Sequence, residues 1–192
     1  MMSRAEIRDV LIAAGNHGDA VERHAFAALV AAALFDRETQ FLDWLGLSPV
    51  AARALFAAYF PAFPVDLPER SKGGDIASEE SALRTLLLQH RADDGIEAEW
   101  AAAIVARRAQ APNHLWEDMG FADRGELNGM MSRFFPTLKA LNRDDMRWKK
   151  FLYRLLCEQT GTLRCKSPSC SLCSDVAVCF EPGSRLLMRA AG

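Results

Sequence analysis

Four of the five cysteines in this chain lie within a stretch of 15 residues. Cys165, Cys170, Cys173 and Cys179 follow the spacing C-x4-C-x2-C-x5-C in the segment CKSPSCSLCSDVAVC. Thiolates bind zinc, iron–sulfur clusters and other soft metal centres. Because the cysteine count is odd and the first residues show no secretory signal, we do not expect a disulfide framework. We therefore interpret residues 165–179, called the cluster loop below, as a metal site.

The spacing of the cluster loop also separates the candidate metals. A structural zinc site commonly uses two C-x2-C pairs that lie about 12 to 20 residues apart. The cluster loop has one such pair, and all four thiols come from one short segment. This arrangement favours an iron–sulfur cluster of the 3Fe-4S or 4Fe-4S type. A single zinc ion is the main alternative, and unreactive thiols are the third.

Cys157 lies eight residues before the cluster loop, near the end of a long predicted helix. Free cysteine usually behaves as a small buried apolar residue, and that is one interpretation of Cys157. The other is that it supplies an additional soft metal ligand or a redox partner.

Charge is distributed unevenly along the chain. Residues 1–132 contain 12 basic and 20 acidic side chains, whereas residues 133–192 contain 11 basic and 5 acidic ones. Basic residues near an anionic cluster would stabilise it, although a solvated basic surface would give the same pattern. Arg147, Lys150 and Arg154 are predicted to share one basic edge of a helix, which suits docking to an acidic partner or simple solvation. The net charge of −2 argues against a nucleic-acid partner.

Apolar periodicity and capping residues predict an all-α fold, a multi-helix, bundle-like domain that ends in the cysteine-rich iron–sulfur loop. Asp123 and Glu126 have the spacing of a capping box, and Pro136 is expected to limit the helix that follows them. Residues 113–121 are expected to form a turn-rich connection. The predicted helices cover residues 3–14, 20–35, 38–45, 49–59, 78–89, 96–109, 123–134 and 144–158.

The domain organisation predicted from composition has three parts. Residues 1–60 form an N-terminal helical segment, residues 61–77 a linker rich in proline and glycine, and residues 78–192 a helical domain that ends in the cluster loop. The longest apolar run, residues 25–35, is too short to cross a bilayer, which takes about 20 residues. We therefore expect a cytoplasmic protein without a membrane partner.

The motifs resemble those of the NifQ family of nitrogen-fixation proteins. Besides the cysteine spacing, which is followed directly by Phe180-Glu181-Pro182, three stretches carry the resemblance, and together they cover most of residues 78–182. Residues 1–60 resemble the family only loosely. The iron–sulfur loop of endonuclease III-type DNA glycosylases is a weaker match, because its first gap is x6 and its helix–hairpin–helix is absent here. The three stretches are SEESALRTLLLQHR (78–91) with Glu99-Trp100, HLWEDMGF (114–121) and FFPTLKALNRDDMRWKKFLYRLLCE (134–158).

The resemblance implies an iron–sulfur protein that carries molybdenum for the iron–molybdenum cofactor of nitrogenase. It implies delivery to the cofactor-assembly scaffold NifEN, with the iron protein NifH taking part, and no catalytic turnover. We expect a monomer or weak oligomer. An electron-transfer or redox-sensing iron–sulfur protein is the alternative function, and a zinc-stapled interaction domain is the third.

The resemblance also implies roles for individual residues. The four cysteines of the cluster loop become the cluster ligands. His90 and His114 match positions typical of the family, and an imidazole there either binds metal or packs locally. Glu117 and Asp118 are interpreted either as oxygen donors to molybdenum or as solvated carboxylates.

Overall fold

The computed structural model describes residues 2–36, 40–64, 67 and 78–160. All regular structure in these ranges is helical, which confirms the predicted all-α class. The cluster loop with its four cysteines, and most of the predicted linker 61–77, lie outside the described residues. The helices are α1 (Arg4–Ala14), α2 (Ala20–Phe35), α3 (Phe41–Leu45), α4 (Pro49–Tyr59), α5 (Ser78–Gln89), α6 (Ile96–Arg108), α7 (Leu115–Asp118), α8 (Arg124–Phe134), α9 (Pro136–Leu141) and α10 (Trp148–Thr160).

Side-chain caps set where the first helices begin. Ser3 forms a capping box with Glu6, in which each side chain accepts a hydrogen bond from the other residue's backbone N–H. The Asp19 carboxylate accepts from the first N–H groups of α2. Ser48 caps α4, whose first residue is Pro49. Because these caps satisfy N–H groups that have no partner within the helix, the helices start where the sequence predicts.

Helix α2 is the centre of the hydrophobic core. Its small side chains from Ala25 to Ala33 are all buried, so neighbouring helices approach it closely. The ring of Phe26 lies 4.7 Å from the Tyr59 ring, 6.2 Å from the Trp100 ring and 5.6 Å from the Phe134 ring, measured between centroids. These contacts join α2 to α4, α6 and α8. Helices on both sides of the predicted linker therefore share one core.

An ion-pair cluster fixes the N-terminal end of α2 to the C-terminal end of α8. Arg133 places one nitrogen 2.5 Å from the buried Glu22 carboxylate and another 2.8 Å from Asp19. Tyr59 donates a hydrogen bond to Glu22 across 3.3 Å. Burial, together with the Glu22 charge, raises the pKa of Tyr59, so its hydroxyl remains a donor at neutral pH.

Three element predictions are wrong in detail at helix boundaries. Helix α3 begins at Phe41 rather than at 38, because Gln40 has extended backbone angles and serves as its N-cap. The connection 113–121 contains the short helix α7. The capping box at Asp123 forms only in part: Asp123 accepts from the Glu126 N–H, whereas the Glu126 carboxylate accepts from Ala122.

The segment after Pro136 also differs from the prediction. Pro136 begins a further helix, α9, at the position where proline is tolerated best. Residues 142–147 form a turn rather than the first turn of the last helix, and Asp145 there has a positive φ of 48°. The Asn142 side chain holds this turn by bonding both the N–H and the carbonyl of Met146. Helix α10 therefore begins at Trp148 and not at 144.

Candidate functional site

Helix α10 positions the start of the segment that leads to the cluster loop. Its last residue, Thr160, precedes Cys165 by five residues. Trp148, Phe151 and Leu152 are buried in the core, as the predicted apolar stripe requires. The Trp148 indole N–H also donates to Asn128 Oδ1 across 2.8 Å. Packing and this hydrogen bond together fix the helix against α8.

A buried ion pair between Asp118 and Lys149 fixes the beginning of α10. The Lys149 ammonium contacts Asp118 Oδ2 directly and lies 2.5 Å from the carbonyl oxygen of Ala111. Asn113 donates to both carboxylate oxygens across 3.1 Å, through its backbone N–H and its side-chain amide. Burial lowers the pKa of Lys149, and the Asp118 charge opposes that shift. The interpretation of Asp118 as a solvated carboxylate is therefore wrong, because its oxygens already bond three donors.

Arg108 completes this polar cluster from the end of α6. Its Nε donates to the backbone carbonyl of Asp118 across 3.0 Å. Its guanidinium lies over the Trp44 ring, 4.3 Å from the centroid, as a cation–π contact. Burial lowers the pKa of Arg108, against the opposing effect of Asp118. Lys149 thus bonds the Asp118 carboxylate and Arg108 bonds the backbone carbonyl of the same residue, so the cluster joins α6, α7 and α10.

His114 lies at the same end of α10 as this cluster. Its side chain is exposed, and its backbone N–H donates to Glu117 Oε2 across 2.9 Å at the start of α7. Glu117 is exposed as well. Both side chains are therefore accessible, but the structure gives His114 a local capping position.

His90 is held in one orientation by Thr137 of α9. The Thr137 hydroxyl donates to the His90 carbonyl across 3.2 Å, so its single proton is engaged. The ring Nδ1 lies 2.9 Å from the same hydroxyl oxygen, and both contacts are satisfied together only when Nδ1 carries the ring proton and donates it. Burial lowers the pKa of His90, which favours the neutral ring. The tautomer that results carries its proton on Nδ1 and leaves the Nε2 lone pair available.

The two histidines lie at opposite ends of α10. Gln159 donates to Gln89 across 3.5 Å, which places the end of α10 beside the end of α5 and next to His90. Asp118, whose N–H donates to the His114 carbonyl, contacts Lys149. Lys149 precedes Gln159 by ten residues, which is roughly 15 Å along the helix axis. The structure therefore brings His90, and not His114, to the end of α10 from which the chain continues towards Cys165.

Cys157 is 5% exposed and lies within α10, one turn before its end. Its side chain is buried, as a small apolar residue would be. In the part of the chain that the structure describes, no three His, Cys, Asp or Glu side chains are grouped closely enough to hold a metal ion.

The predicted basic edge of α10 is only partly formed. Arg147 lies just before the helix, and its carbonyl accepts from the Phe151 N–H. Arg154 pairs with Glu158 across 3.2 Å and contacts the Met146 sulfur. The residue that sequence reasoning missed is Lys149. Lys149 lies beside the apolar stripe rather than on the basic edge, and this position could have indicated that its side chain is largely buried.

Comparison with known proteins covers almost the whole chain. The NifQ family model matches residues 4–181, a range that includes all four cysteines of the cluster loop. The chain belongs to the NifQ family. The match begins in α1 and so extends into residues 1–60, where the sequence predicts only a loose resemblance. The buried position of Phe26 in the shared core gives a physical reason for this, because the N-terminal helices are part of one structure with the rest.

Relatives with the NifQ name match shorter parts of the chain than the family model does. Protein NifQ from Rhodobacter capsulatus is 42% identical over 141 residues, which are 72% of this chain and 76% of the relative. Protein NifQ homolog from Sinorhizobium fredii is 38% identical over 168 residues, 84% of this chain and 73% of the relative. Protein NifQ from Azotobacter vinelandii is 44% identical over 102 residues, 53% of this chain and 52% of the relative. No solved structure matches the chain significantly.

None of the described helices is long and apolar enough to cross a membrane.

Proposed function

We propose that this NifQ protein carries molybdenum on an iron–sulfur cluster in the cytoplasm. It delivers the metal to the iron–molybdenum cofactor scaffold NifEN, with NifH taking part, and acts as a carrier rather than a catalyst. The observation that carries the proposal is the four-cysteine spacing at 165–179 inside the range matched by the NifQ family model.

The four thiolates of the cluster loop suit an iron–sulfur cluster that carries molybdenum. Four thiolates from one segment suit a 3Fe-4S or 4Fe-4S cluster, and sulfur is a donor that soft metal centres accept. Three thiolates suffice for a three-iron cluster. One thiolate among Cys165, Cys170, Cys173 and Cys179 then remains to bind molybdenum and to release it on transfer.

His90 is the described residue best placed to assist. Histidines that bind metal usually donate their second ring N–H to an oxygen, which fixes the tautomer and the ring orientation. His90 already does this through Nδ1 and Thr137, at the end of α10 nearest the cluster loop in sequence. We therefore assign its Nε2 as an additional ligand for the carried metal, in preference to a hydrogen-bond donor to cluster sulfur.

The test is metal analysis after anaerobic purification. Each of the four cluster-loop cysteines is changed singly to alanine, and iron and molybdenum per protein are measured with the EPR spectrum. We expect the variants to lose molybdenum, iron or both. Cys157→Ala is the matched control, because it removes a thiol that is buried in α10 and should leave both metals in place.

Incubation with NifEN and NifH separates the carrier from its alternatives. A carrier loses molybdenum to NifEN, whereas an electron-transfer protein keeps its metal while its cluster changes oxidation state. Zinc in a colourless protein would support the interaction-domain alternative. Full iron and molybdenum in all four cluster-loop variants would show that the site is assigned wrongly.

A further inference from the structure

Basic side chains from three helices gather around the turn that precedes α10. Two of them contact Asp145 in this turn: Arg124 Nη2 lies 3.0 Å from its carboxylate, and the Lys139 ammonium lies 3.8 Å from the same oxygen. From α10, the Arg154 guanidinium reaches back to the sulfur of Met146 across 3.5 Å. We call this region the turn surface. Its basic side chains are Arg124, Lys139, Arg143, Arg147, Lys150 and Arg154.

Two of these cations have no acidic partner among the residues that the structure describes. Arg143 is exposed and Lys150 is half-buried, and neither forms an ion pair within those residues. Lys150 lies four residues before Arg154 on α10, and residues with this spacing are neighbours on a helix surface. Arg143 and Lys150 are therefore the cations most available to a partner.

The acidic side chains of the turn surface do not cancel its positive charge. Glu126, near the start of α8, points towards α1 and α2, where it contacts Arg8 and His24. Six basic side chains and four acidic ones leave an excess of two positive charges. The acidic side chains among or beside the cations are Asp123, Asp144, Asp145 and Glu158.

The turn itself is held in one conformation. The buried side chain of Asn142 bonds the N–H and the carbonyl of Met146. Arg124 donates to the carbonyls of Asp145 and Met146 across 2.5 and 3.0 Å. A surface that is fixed before binding loses less conformational entropy when a partner docks. The turn is thus organised in advance for an interaction.

An apolar side chain lies directly before the turn. Leu141, the last residue of α9, is 51% exposed. Interfaces between proteins commonly combine exposed apolar side chains with arginine and other polar groups at the rim. The exposed Asp144 among the cations would repel a polyphosphate chain or an anionic membrane, whereas a protein can place a donor opposite it. This composition fits a protein partner with a mainly acidic surface.

We propose that the turn surface docks this carrier onto an acidic surface of the protein that accepts its metal. The inference rests on the proposed function, in which the acceptor is NifEN. Charge pairs at an exposed surface speed association more than they strengthen the complex, which suits a carrier that leaves after transfer. The turn surface lies at the beginning of α10, whereas the cluster loop follows its end in sequence. Docking residues and proposed metal ligands can therefore be changed separately.

Binding of the full chain to immobilised NifEN, measured by surface plasmon resonance, tests the proposal without requiring the metal cargo. We expect the association rate constant of the wild type to fall as salt rises from about 50 to about 300 mM. Arg143→Glu combined with Lys150→Glu should lower this constant about tenfold at the lower salt concentration and flatten its salt dependence. Leu141→Ser should mainly raise the dissociation rate constant, by about fivefold.

The matched control is Arg4→Glu combined with Arg53→Glu, which changes the net charge by the same amount. Arg4 and Arg53 are exposed on α1 and α4, and neither forms an ion pair within the described part of the chain. The control should associate nearly as fast as the wild type. All variants should keep the unfolding temperature and the iron and molybdenum content of the wild type.

Three outcomes would overturn the proposal. They are the absence of wild-type binding to NifEN, equal association rates in the two double variants, and wild-type binding to phosphatidylserine vesicles that Arg143→Glu with Lys150→Glu abolishes. Failure of the proposed function would look different, because molybdenum would then fail to pass from the wild type to NifEN although docking through the turn surface persisted.

Discussion

The ammonium of Lys149 lies against the carboxylate of Asp118, although the two residues are 31 positions apart. The Asp118 side chain is 3% exposed and that of Lys149 is 12% exposed. The pair joins the second residue of α10 to the last residue of α7. It therefore fixes the helix from which the chain continues towards the cluster loop.

The first prediction concerns this ion pair. Asp118→Asn leaves the Lys149 charge buried without its counter-charge, and this should lower the free energy of unfolding by about 3 kcal/mol. Urea denaturation measures the change. The double variant Asp118→Asn with Lys149→Met removes both charges and keeps an aliphatic chain of similar length, so it should recover most of the loss. Losses that simply add in the double variant would contradict the direct coupling of the two residues.

A second prediction uses two glycines with opposite environments. Gly120 has a φ of 77°, and a Cβ at this position would collide with the Cβ of Ala32 in α2. Gly120→Ala should therefore lower the free energy of unfolding by about 2 kcal/mol, through strain and overpacking.

The matched control for Gly120 is Gly129→Ala. Gly129 lies within α8, and a Cβ there would meet nothing within 4 Å. This variant should raise the free energy of unfolding by up to about 1 kcal/mol, because alanine has the higher helix propensity. Thermal or urea unfolding of the two variants side by side gives the comparison. A loss of stability in both would show that the opposite environments of the two glycines do not decide the outcome.

The third prediction concerns acid stability and Asp19. Burial opposes ionisation of this carboxylate, but hydrogen bonds from the backbone of Glu22 and Val21 and from Arg133 outweigh it, so the pKa of Asp19 lies below its ordinary value of 3.8. As pH falls, Asp19 is therefore protonated at a higher pH in the unfolded chain than in the folded chain. The stability that Asp19 contributes is present above pH 3.8 and is lost as pH falls through the folded-state pKa.

Asp19→Asn measures that contribution. Wild type should exceed the variant in unfolding free energy at about pH 5, and the difference should shrink towards about pH 2. An equal difference between wild type and Asp19→Asn at both pH values would contradict the lowered pKa.

The fourth prediction concerns His90 and rests on the proposed function. His90→Gln keeps a side-chain amide that can bond Thr137 but removes the imidazole Nε2. We expect less molybdenum per protein with iron retained, measured on protein purified without oxygen. His114→Gln is the matched control and should retain both metals, because His114 lies at the other end of α10. Unchanged molybdenum in His90→Gln would remove it from the set of ligands.

Local interactions explain which parts of the fold were predictable. Ser3, Asp19 and Ser48 cap their helices through contacts with residues two or three positions away, so the start of each helix could be predicted from adjacent sequence. Helices α7 and α9 have four and six residues, too few to be stable alone. The turn before α10 also depends on another helix. Arg124 in α8 donates hydrogen bonds to the carbonyls of Asp145 and Met146.

The sequence by itself determined the helical class, the first helix boundaries and the four-cysteine spacing that indicates the NifQ family. These features depend on residue types and on contacts between near neighbours along the chain. Only the tertiary structure decided that Asp118 pairs with Lys149 and that His90 rather than His114 lies at the end of α10. These relationships join residues far apart in the chain, and they exist because the helices pack into one core that brings such residues together.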